Sequence, residues 1–550
     1  MQHCLLGELP SEVLLHLLSF LSLESLLSLS RTSRTFHSLI HSDILPRVCL
    51  KQLNYSPATL KHVHSQQGWS WSRKALWADR VRHKCAEWDF TGVSFGGWDR
   101  TMPVVRLWQL DRGVTGLLIA RGPELECWIA VDSKGSMDRI PVTVKGSSPG
   151  MSGVKGQRRP TRSALDDVTA LTDGGRAGQI VVARVSGLIQ KLRIVDHGGR
   201  GRPIVLEEAA RYATPQLDIT RPGSTTVQAL HSNSSVIVSA STTRLRPPDP
   251  RQIAPDENDS LARTLAKRAA PKKHHVALHS IVSPWIPPTV ISLSSKPWSI
   301  QLAPSSSPSW LAIGQSGTAP LSLFQLDSTG SPVASSSTPL AHTAKPTSVY
   351  SLTTPSIDCS PFLRPDQTLV AAFFDSTTRI YDLRLPPPPS SSSSSSLVSS
   401  NWNDGSVSSA SNEILRLSDP WSDDPSYSVS VGGPAGAYVA VGSARNSAVR
   451  IFDIRSPTVD VDSARRGSNG ITAFGPGGDR SPVYGLAMEN SRIWGVTERR
   501  GFVFNFHADV REGKGEESIA YVTHSGQGKG ELRKTGFGHR SMKNRFREMS

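Results

Sequence analysis

Two stretches of the chain decide the fold: TRIYDLR at Thr378–Arg384 and AVRIFDIR at 448–455. In both stretches apolar and polar residues alternate, which is the period of a β-strand that buries one face. Similar stretches recur at VVRLWQL (104–110), IQKLRIVD (189–196), PLSLFQLD (320–327) and GFVFNFH (501–507). The recurrence predicts a repeated β unit.

Further apolar runs precede most of these stretches at the distance of a turn. They are WLAIGQSG (310–317), LVAAFFDS (369–376), AYVAVGSA (437–444) and RIWGVTERR (492–500). A third run lies upstream again, as in SVYSLTT (348–354). Three or more strands in each consecutive repeat indicate a β-propeller rather than a sandwich.

The repeats resemble degenerate WD repeats, with an aromatic residue before Asp at Tyr381-Asp382 and Phe452-Asp453. The resemblance implies a mainly β chain whose residues 96–510 form a seven-bladed, WD-like β-propeller. The predicted blades are 297–327, 346–384, 427–455 and 481–507, with weaker blades at 114–144, 165–206 and 225–282. We expect the strand at 104–110 to pair with the last blade and close the ring, because closure removes exposed sheet edges.

The first fifty residues have the pattern of short amphipathic helices. Pro10-Ser11-Glu12 is a favourable helix start. Leucines follow at helical spacing, and further short helices are predicted near 26–29 and 36–40. So small a unit is marginal on its own. Its apolar face therefore either packs on the rest of the chain or docks on a partner.

The order and spacing of residues 6–47 resemble an F-box, through LPSEVL at 9–14 and LSFL at 18–21. In that family the helices dock on the Skp-type adaptor of a cullin–RING ubiquitin ligase. The resemblance implies adaptor contacts at Leu9, Pro10, Val13, Leu14, Leu17, Leu21 and Leu26.

Residues 48–95 are predicted to be a basic, Trp-rich helical linker. Residues 31–85 contain ten Lys or Arg against two Asp, and residues 72–81 have a helical pattern. We expect the tryptophans of the linker to pack against the neighbouring domain. The alternative is a nucleic-acid surface, in which aromatic rings stack on bases and cations meet phosphate. These tryptophans are Trp69, Trp71, Trp77 and Trp88.

The excess positive charge lies outside the predicted blades. Residues 31–85, the insertions at 145–163 and 244–275, and the tail at 511–550 together carry +21, whereas the whole chain carries +15. The loop at 386–412 is rich in Pro and Ser. We expect these insertions to be disordered and the tail flexible. We also expect them to be solvated rather than bound to nucleic acid.

No pattern in the sequence indicates catalysis, a metal or a cofactor. HExxH is absent. The pair His274-His275 lacks further ligands at zinc-like spacing, so we expect solvated histidines. Five cysteines without a CxxC pair favour a reducing compartment. His16 and Glu24 interrupt the Leu-rich run at 13–29, so we expect neither an export signal nor a membrane span.

The expected function is that of a non-catalytic substrate-recognition subunit of a Skp–cullin–F-box ligase, in the cytoplasm or the nucleus, with an unknown protein substrate. One alternative is a scaffold propeller associated with RNA or chromatin through its basic loops. The other is an adaptor of a different cullin ligase. The stretches ending at Arg384 and Arg455 resemble the aromatic–Asp–x–Arg box through which such propellers contact that ligase.

Overall fold

The N-terminal region is helical, as the leucine spacing predicts. The computed structural model describes residues 9–49, 70–86, 90–97, 104–111, 114–130, 137–145, 167–196, 202–213, 225–244, 272–305, 309–327, 330–333, 337–355, 364–384, 412–419, 422–457, 468–476, 480–489, 491–506, 519–524 and 532–535. The helices are α1 (Ser11–Leu18), α2 (Leu23–Ser30), α3 (Arg34–Leu39), a π-helical segment (Ile40–Cys49) and α4 (Trp71–Ala86).

Local signals in the sequence set where the first three helices begin. Pro10 precedes α1, and Glu12 lies in its first turn, where a carboxylate is favourable to the helix dipole. The Ser22 hydroxyl accepts a hydrogen bond from the Ser25 backbone N–H and caps α2. Ser33 caps α3 in the same way, through the N–H of Phe36.

The remaining described residues form mostly antiparallel β-sheet arranged in consecutive four-stranded units. In each unit the first strand contacts the first strands of the neighbouring units, and the first strand of the last unit contacts that of the first. The first strands therefore form a closed inner ring around a central axis. Seven units in such a ring are a seven-bladed β-propeller.

The first three blades run from the inner to the outer strand in chain order. Blade 1 contains β2 (Val104–Asp111), β3 (Val114–Arg121), β4 (Glu124–Ala130) and β5 (Met137–Lys145). Blade 2 contains β6 (Val168–Asp173), β7 (Gln179–Arg184), β8 (Leu188–Asp196) and β9 (Ile204–Ala213). Blade 3 contains β10 (Thr225–Ser232), β11 (Val236–Arg244), β12 (Lys272–Ser280) and β13 (Thr289–Leu293).

The next three blades repeat this order. Blade 4 contains β14 (Pro297–Leu302), β15 (Trp310–Gly317), β16 (Leu321–Gln325) and β17 (Thr338–Ala341). Blade 5 contains β18 (Thr347–Thr353), β19 (Thr368–Phe373), β20 (Thr377–Asp382) and β21 (Glu413–Ser418). Blade 6 contains β22 (Ser426–Gly432), β23 (Tyr438–Ser443), β24 (Ala448–Pro457) and β25 (Ser468–Phe474).

Blade 7 is completed by a strand from the beginning of the β region. Its inner strands are β26 (Gly485–Met488), β27 (Arg492–Val496) and β28 (Gly501–Asn505), and its outer strand is β1 (Thr91–Phe95). The pairing runs from Thr91 with Asn505 to Phe95 with Gly501. The prediction that 104–110 closes the ring was therefore wrong, because that strand begins blade 1 instead. β1 also lies within the segment predicted to be linker.

Two of the predicted insertions and the predicted tail include β-strand residues. β5 extends to Lys145 and β12 begins at Lys272, so strands occupy one end of the 145–163 segment and both ends of the 244–275 segment. The predicted tail at 511–550 contains β29 (Ile519–His524) and β30 (Leu532–Thr535), which extend blade 6 beyond β25. The remainders of these segments, and 386–411, lie outside the described residues.

Apolar clusters between adjacent blades form the core of the ring. Leu118 and Cys127 of blade 1, for example, pack with Val182 and Leu192 of blade 2. Burial raises the pKa of the Cys127 thiol to about 12, so this cysteine is an inert core residue. Alternating apolar residues thus bury one strand face against each neighbouring blade, as the sequence pattern predicts.

Blade 3 differs from its neighbours in burying histidines. His275 is almost fully buried and His274 is half-buried against Thr242, so the prediction of a solvated pair was wrong. Both residues belong to β12, a strand that the repeat pattern did not reveal. Burial lowers the pKa of His231 to about 3 and that of His279 to about 4, which keeps both rings neutral at physiological pH.

Candidate functional site

The N-terminal helices enclose a small apolar core of their own. Leu14 and Leu18 of α1 and Leu26 of α2 pack with Ile40 and Ile44 of the π-helical segment, and all five are buried. One face of α1 is used for this core because Leu14 and Leu18 are four residues apart, one turn of helix. The opposite face of α1 stays in solvent.

The flank of α1 beside this core, about 100° around the helix axis, is exposed and apolar, whereas the side directly opposite the core bears Glu12 and His16. Val13 is 45% exposed, Leu17 46%, Phe20 74% and Leu21 41%. Together with exposed Pro10 these residues form what we call the α1 surface. The Phe20 ring stands edge-on against His16 at 5.0 Å. An exposed, contiguous group of large apolar side chains is typical of a protein docking site.

The structure divides the seven predicted adaptor contacts into two groups. Pro10, Val13, Leu17 and Leu21 belong to the α1 surface. The other three, Leu9, Leu14 and Leu26, belong to the helical core, with Leu9 half-buried at its edge.

Phe20 is the most exposed member of the α1 surface and is missing from the predicted contacts. It lies in the turn after α1, next to the predicted contact Leu21, and its place within the LSFL stretch was the available signal. Leu14 and Leu26 support the helices from inside, so within the described structure they stabilise the surface rather than form it.

Helix α4 connects the helical core to the propeller. Near its N-terminus, Ala75 is buried in the helical core and Trp71 packs against both cores. Further along, Trp77 and Val81 are buried in a propeller cluster that includes Tyr438 and Phe504. Trp71 and Trp77 thus pack as the linker prediction expected, while Trp69 and Trp88 lie outside the described residues. One continuous helix that is buried at both ends holds the two parts in a fixed orientation.

Arg455 lies next to this junction and is turned inward. Its guanidinium donates hydrogen bonds to the Asp453 carboxylate, at 2.6 and 2.9 Å, and to the Tyr438 hydroxyl at 2.7 Å. These bonds to Asp453 raise the pKa of Arg455 further, so it is always charged. Burial beside this group raises the pKa of the Cys85 thiol of α4. Arg455 therefore fixes the end of β24 where α4 packs.

Arg384 occupies the equivalent position after β20 but is exposed. Its guanidinium forms a bidentate salt bridge with the Asp382 carboxylate, in which Nη2 donates to Oδ2 at 2.6 Å and Nε donates to Oδ1 at 3.0 Å. These bonds hold the pKa of Asp382 below its ordinary value. The two arginines predicted as contacts of a different cullin ligase thus pair with their own aspartates, and their role toward that ligase stays a prediction.

The described residues show no alternative chemical centre. Among them, no group of three or more His, Cys, Asp or Glu residues is placed to hold a metal ion. Within the same ranges no helix combines the length and apolar character needed to cross a bilayer. The α1 surface is therefore the candidate functional site that the geometry indicates most directly.

Comparison with known families agrees with this assignment of the N-terminal region. A family model described as F-box-like matches residues 6–51, which include α1, α2, α3 and the π-helical segment. No curated protein matches the chain significantly. The chain therefore contains an F-box-like domain followed by a β-propeller. F-box domains usually bind Skp-type adaptors of cullin ligases, and F-box proteins are typically non-catalytic substrate adaptors.

Proposed function

We propose that this chain is a substrate-recognition subunit of a Skp–cullin–F-box ubiquitin ligase. In this proposal the α1 surface binds the Skp-type adaptor and the propeller binds the target protein. The observation that carries the proposal is the exposed apolar side of α1, which lies within the residues that match the F-box-like model. Covering such a surface with a partner removes its apolar area from water, which favours association.

The packing of α4 supports a mechanism by proximity. Because α4 is buried in the helical core and in the propeller, a target on the propeller has a fixed position relative to the adaptor. A fixed position raises the effective concentration of the target's lysines near the ubiquitin-conjugating enzyme. Such a receptor needs no catalytic residue of its own, because the chemistry is carried out by other subunits.

Binding of the full-length chain to a purified Skp-type adaptor tests the proposal. We expect wild-type protein to bind in a pull-down and by calorimetry, and the double variant Leu9→Ala, Pro10→Ala to lose binding. Val13→Ser on the α1 surface should also weaken it, whereas Val185→Ser, which alters a similarly exposed valine of blade 2, should not. A folded wild-type chain that does not bind the adaptor would contradict the proposal.

A further inference from the structure

Four aromatic side chains lie side by side on the inner strands of four consecutive blades. They are Trp298 in blade 4, Tyr350 in blade 5, Tyr427 in blade 6 and Tyr484 immediately before β26 of blade 7. Ring centroids are 4.8 Å apart between Trp298 and Tyr350, 5.0 Å between Tyr350 and Tyr427, and 5.5 Å between Tyr427 and Tyr484. All four are half-buried. We call this row the aromatic arc.

A repeated backbone irregularity presents the arc. In β14, β18 and β22 the register with the next strand shifts by one residue at Trp298, Tyr350 and Tyr427, respectively. Such a β-bulge leaves one residue out of the ladder and re-aims its side chain. The serine that follows Trp298 and the one that follows Tyr427 donate to a carbonyl of the next blade, both at 2.9 Å. The inner strands are thereby fixed to each other below the rings.

The arc lies at the end of the propeller opposite to α4. In an antiparallel blade the first strand begins where the second ends and the third begins. Trp298, Tyr427 and Tyr484 lie at the beginnings of first strands. Phe374, which follows the second strand of blade 5, has its ring centroid 5.7 Å from that of Tyr350. Helix α4 instead packs against Tyr438, which begins a second strand, and Phe504, near the end of a third. A ligand on the arc would therefore not meet the linker helix.

A cationic group lies at one end of the arc. The Lys296 ammonium is 3.4 Å from the centroid of the Trp298 ring. Burial and the charge of Lys272 lower the pKa of Lys296. Burial, together with the charges of the two lysines, also lowers the pKa of His274. Within the described ranges no carboxylate forms a salt bridge with Lys272 or Lys296, although ion pairs are frequent elsewhere in the propeller. An unneutralised, half-buried ammonium is stabilised by an anion brought next to it.

We propose that the aromatic arc binds a peptide segment of the target, with apolar or aromatic residues on Tyr350, Phe374 and Tyr427 and one anionic side chain at Lys296. The anion is a carboxylate or a phosphorylated hydroxyl, because either group brings a negative charge next to the Lys296 ammonium. Aromatic rings supply large contact area at a low cost in conformational entropy, as in other protein interfaces. This assignment of the substrate class rests on the proposed function as a receptor.

Four fluorescent peptide libraries test the assignment on the full-length chain. Each peptide has four positions filled by an equal mixture of Leu, Pro, Tyr and Trp around one fixed residue: Glu, phosphoserine, Ser or Lys. Anisotropy should show that the Glu or the phosphoserine library binds about tenfold more tightly than the Lys library. Whichever of the two binds more tightly identifies the anion.

Matched variants separate the two parts of the site. Lys296→Gln should abolish the preference for the anionic library, and Tyr427→Leu should weaken binding of every library about tenfold. The controls are Lys145→Gln and Trp285→Ala, which alter an exposed lysine of blade 1 and a tryptophan that is 79% exposed between β12 and β13, away from the arc. Both should bind as wild type does. Unfolding temperatures measured on each variant identify any that fail to fold.

Equal binding of all four libraries, tighter binding of the Lys library, or no effect of Lys296→Gln would overturn the inference. The 244–275 insertion contains the acidic residues Asp256, Glu257 and Asp259. Peptide binding that appears only after these three residues are replaced by their amides would also overturn the inference, because the site would then bind a segment of its own chain. Adaptor binding measured on the same preparation keeps the two proposals distinct. A chain that binds the adaptor but none of the libraries would contradict the peptide site and leave the proposed receptor function in place.

Discussion

Phe20 provides the sharpest quantitative test of the α1 surface. Its side chain is 74% exposed. A phenylalanine side chain offers roughly 200 Å² of surface, so about 150 Å² is available to a partner. At about 25 cal/mol per Å², covering this area completely contributes roughly 3–4 kcal/mol to association. Alanine retains a small part of that area, so Phe20→Ala should cost about 2–3 kcal/mol, or a roughly 30- to 150-fold rise in Kd.

Titration of labelled adaptor with the full-length protein measures this change. Phe374→Ala is the matched control, because Phe374 is also an exposed phenylalanine but lies on the propeller. We expect the control to bind the adaptor like wild type, and both variants to unfold at the wild-type temperature, since neither ring is in a core. A Kd for Phe20→Ala within twofold of wild type would refute the assignment of α1 as the binding face.

The remaining predictions concern stability. Leu26→Ala removes a side chain that is 1% exposed and should lower the local stability of the helical core by about 2–5 kcal/mol, seen as faster amide exchange in α1–α3 but not in the blades. Equal amide exchange in α1–α3 of wild type and Leu26→Ala would contradict the packing of Leu26 in the helical core. At Gly442 a Cβ would overlap the Ser428 hydroxyl and lie 2.8 Å from Val483 Cβ, so Gly442→Ala should lower the melting temperature by several degrees. An unchanged melting temperature would mean that β23 lies further from Ser428 and Val483 than the structure places it. The lowered pKa values of His231 and His279 mean that the unfolded chain binds more protons below pH 6.5. Stability is therefore complete above pH 6.5 and falls as the pH drops toward 4, by about 2 kcal/mol per histidine at pH 5. His279→Gln should flatten this pH dependence relative to wild type, and an unchanged slope would contradict the burial of that ring.

Much of the ring could be predicted because its strongest strands carry their pattern locally. β20 and β24 alternate apolar and polar residues and contain an aromatic–Asp pair, so they identify a blade without knowledge of their partners. The outer strands of the blades were harder to predict from the sequence. β21 follows β20 only after the insertion at 386–412, and its sequence EILRLS has no repeat signature. Its place in blade 5 is decided by pairing with β20, which sequence periodicity does not encode.

The choice of closing strand shows the same limit. VVRLWQL at 104–110 has a stronger strand pattern than TGVSF in β1, yet β1 completes blade 7. Both strands are close in sequence to the start of the ring. Only the number of strands that blade 1 needs decides which one pairs across the closure, and this is a property of the whole assembly.

The α1 surface was predictable in position but not in detail. Helical spacing places Val13 and Leu17 on one face, but it does not reveal which leucines the π-helical segment covers. Leu14 becomes core because Ile40 and Ile44 pack against it, a contact between residues far apart in sequence. The aromatic arc was not predicted at all, because its members are spaced by whole blades and meet only when the ring closes.

Assembly with the purified adaptor, cullin and RING subunits tests the receptor role most directly. With ubiquitin, its activating and conjugating enzymes and ATP added, a receptor held near the conjugating enzyme presents its own lysines for transfer. We predict that the wild-type chain co-elutes with the other subunits and becomes ubiquitylated, while Phe20→Ala does neither at the same concentration. A folded wild-type chain that elutes alone and remains unmodified would contradict the account.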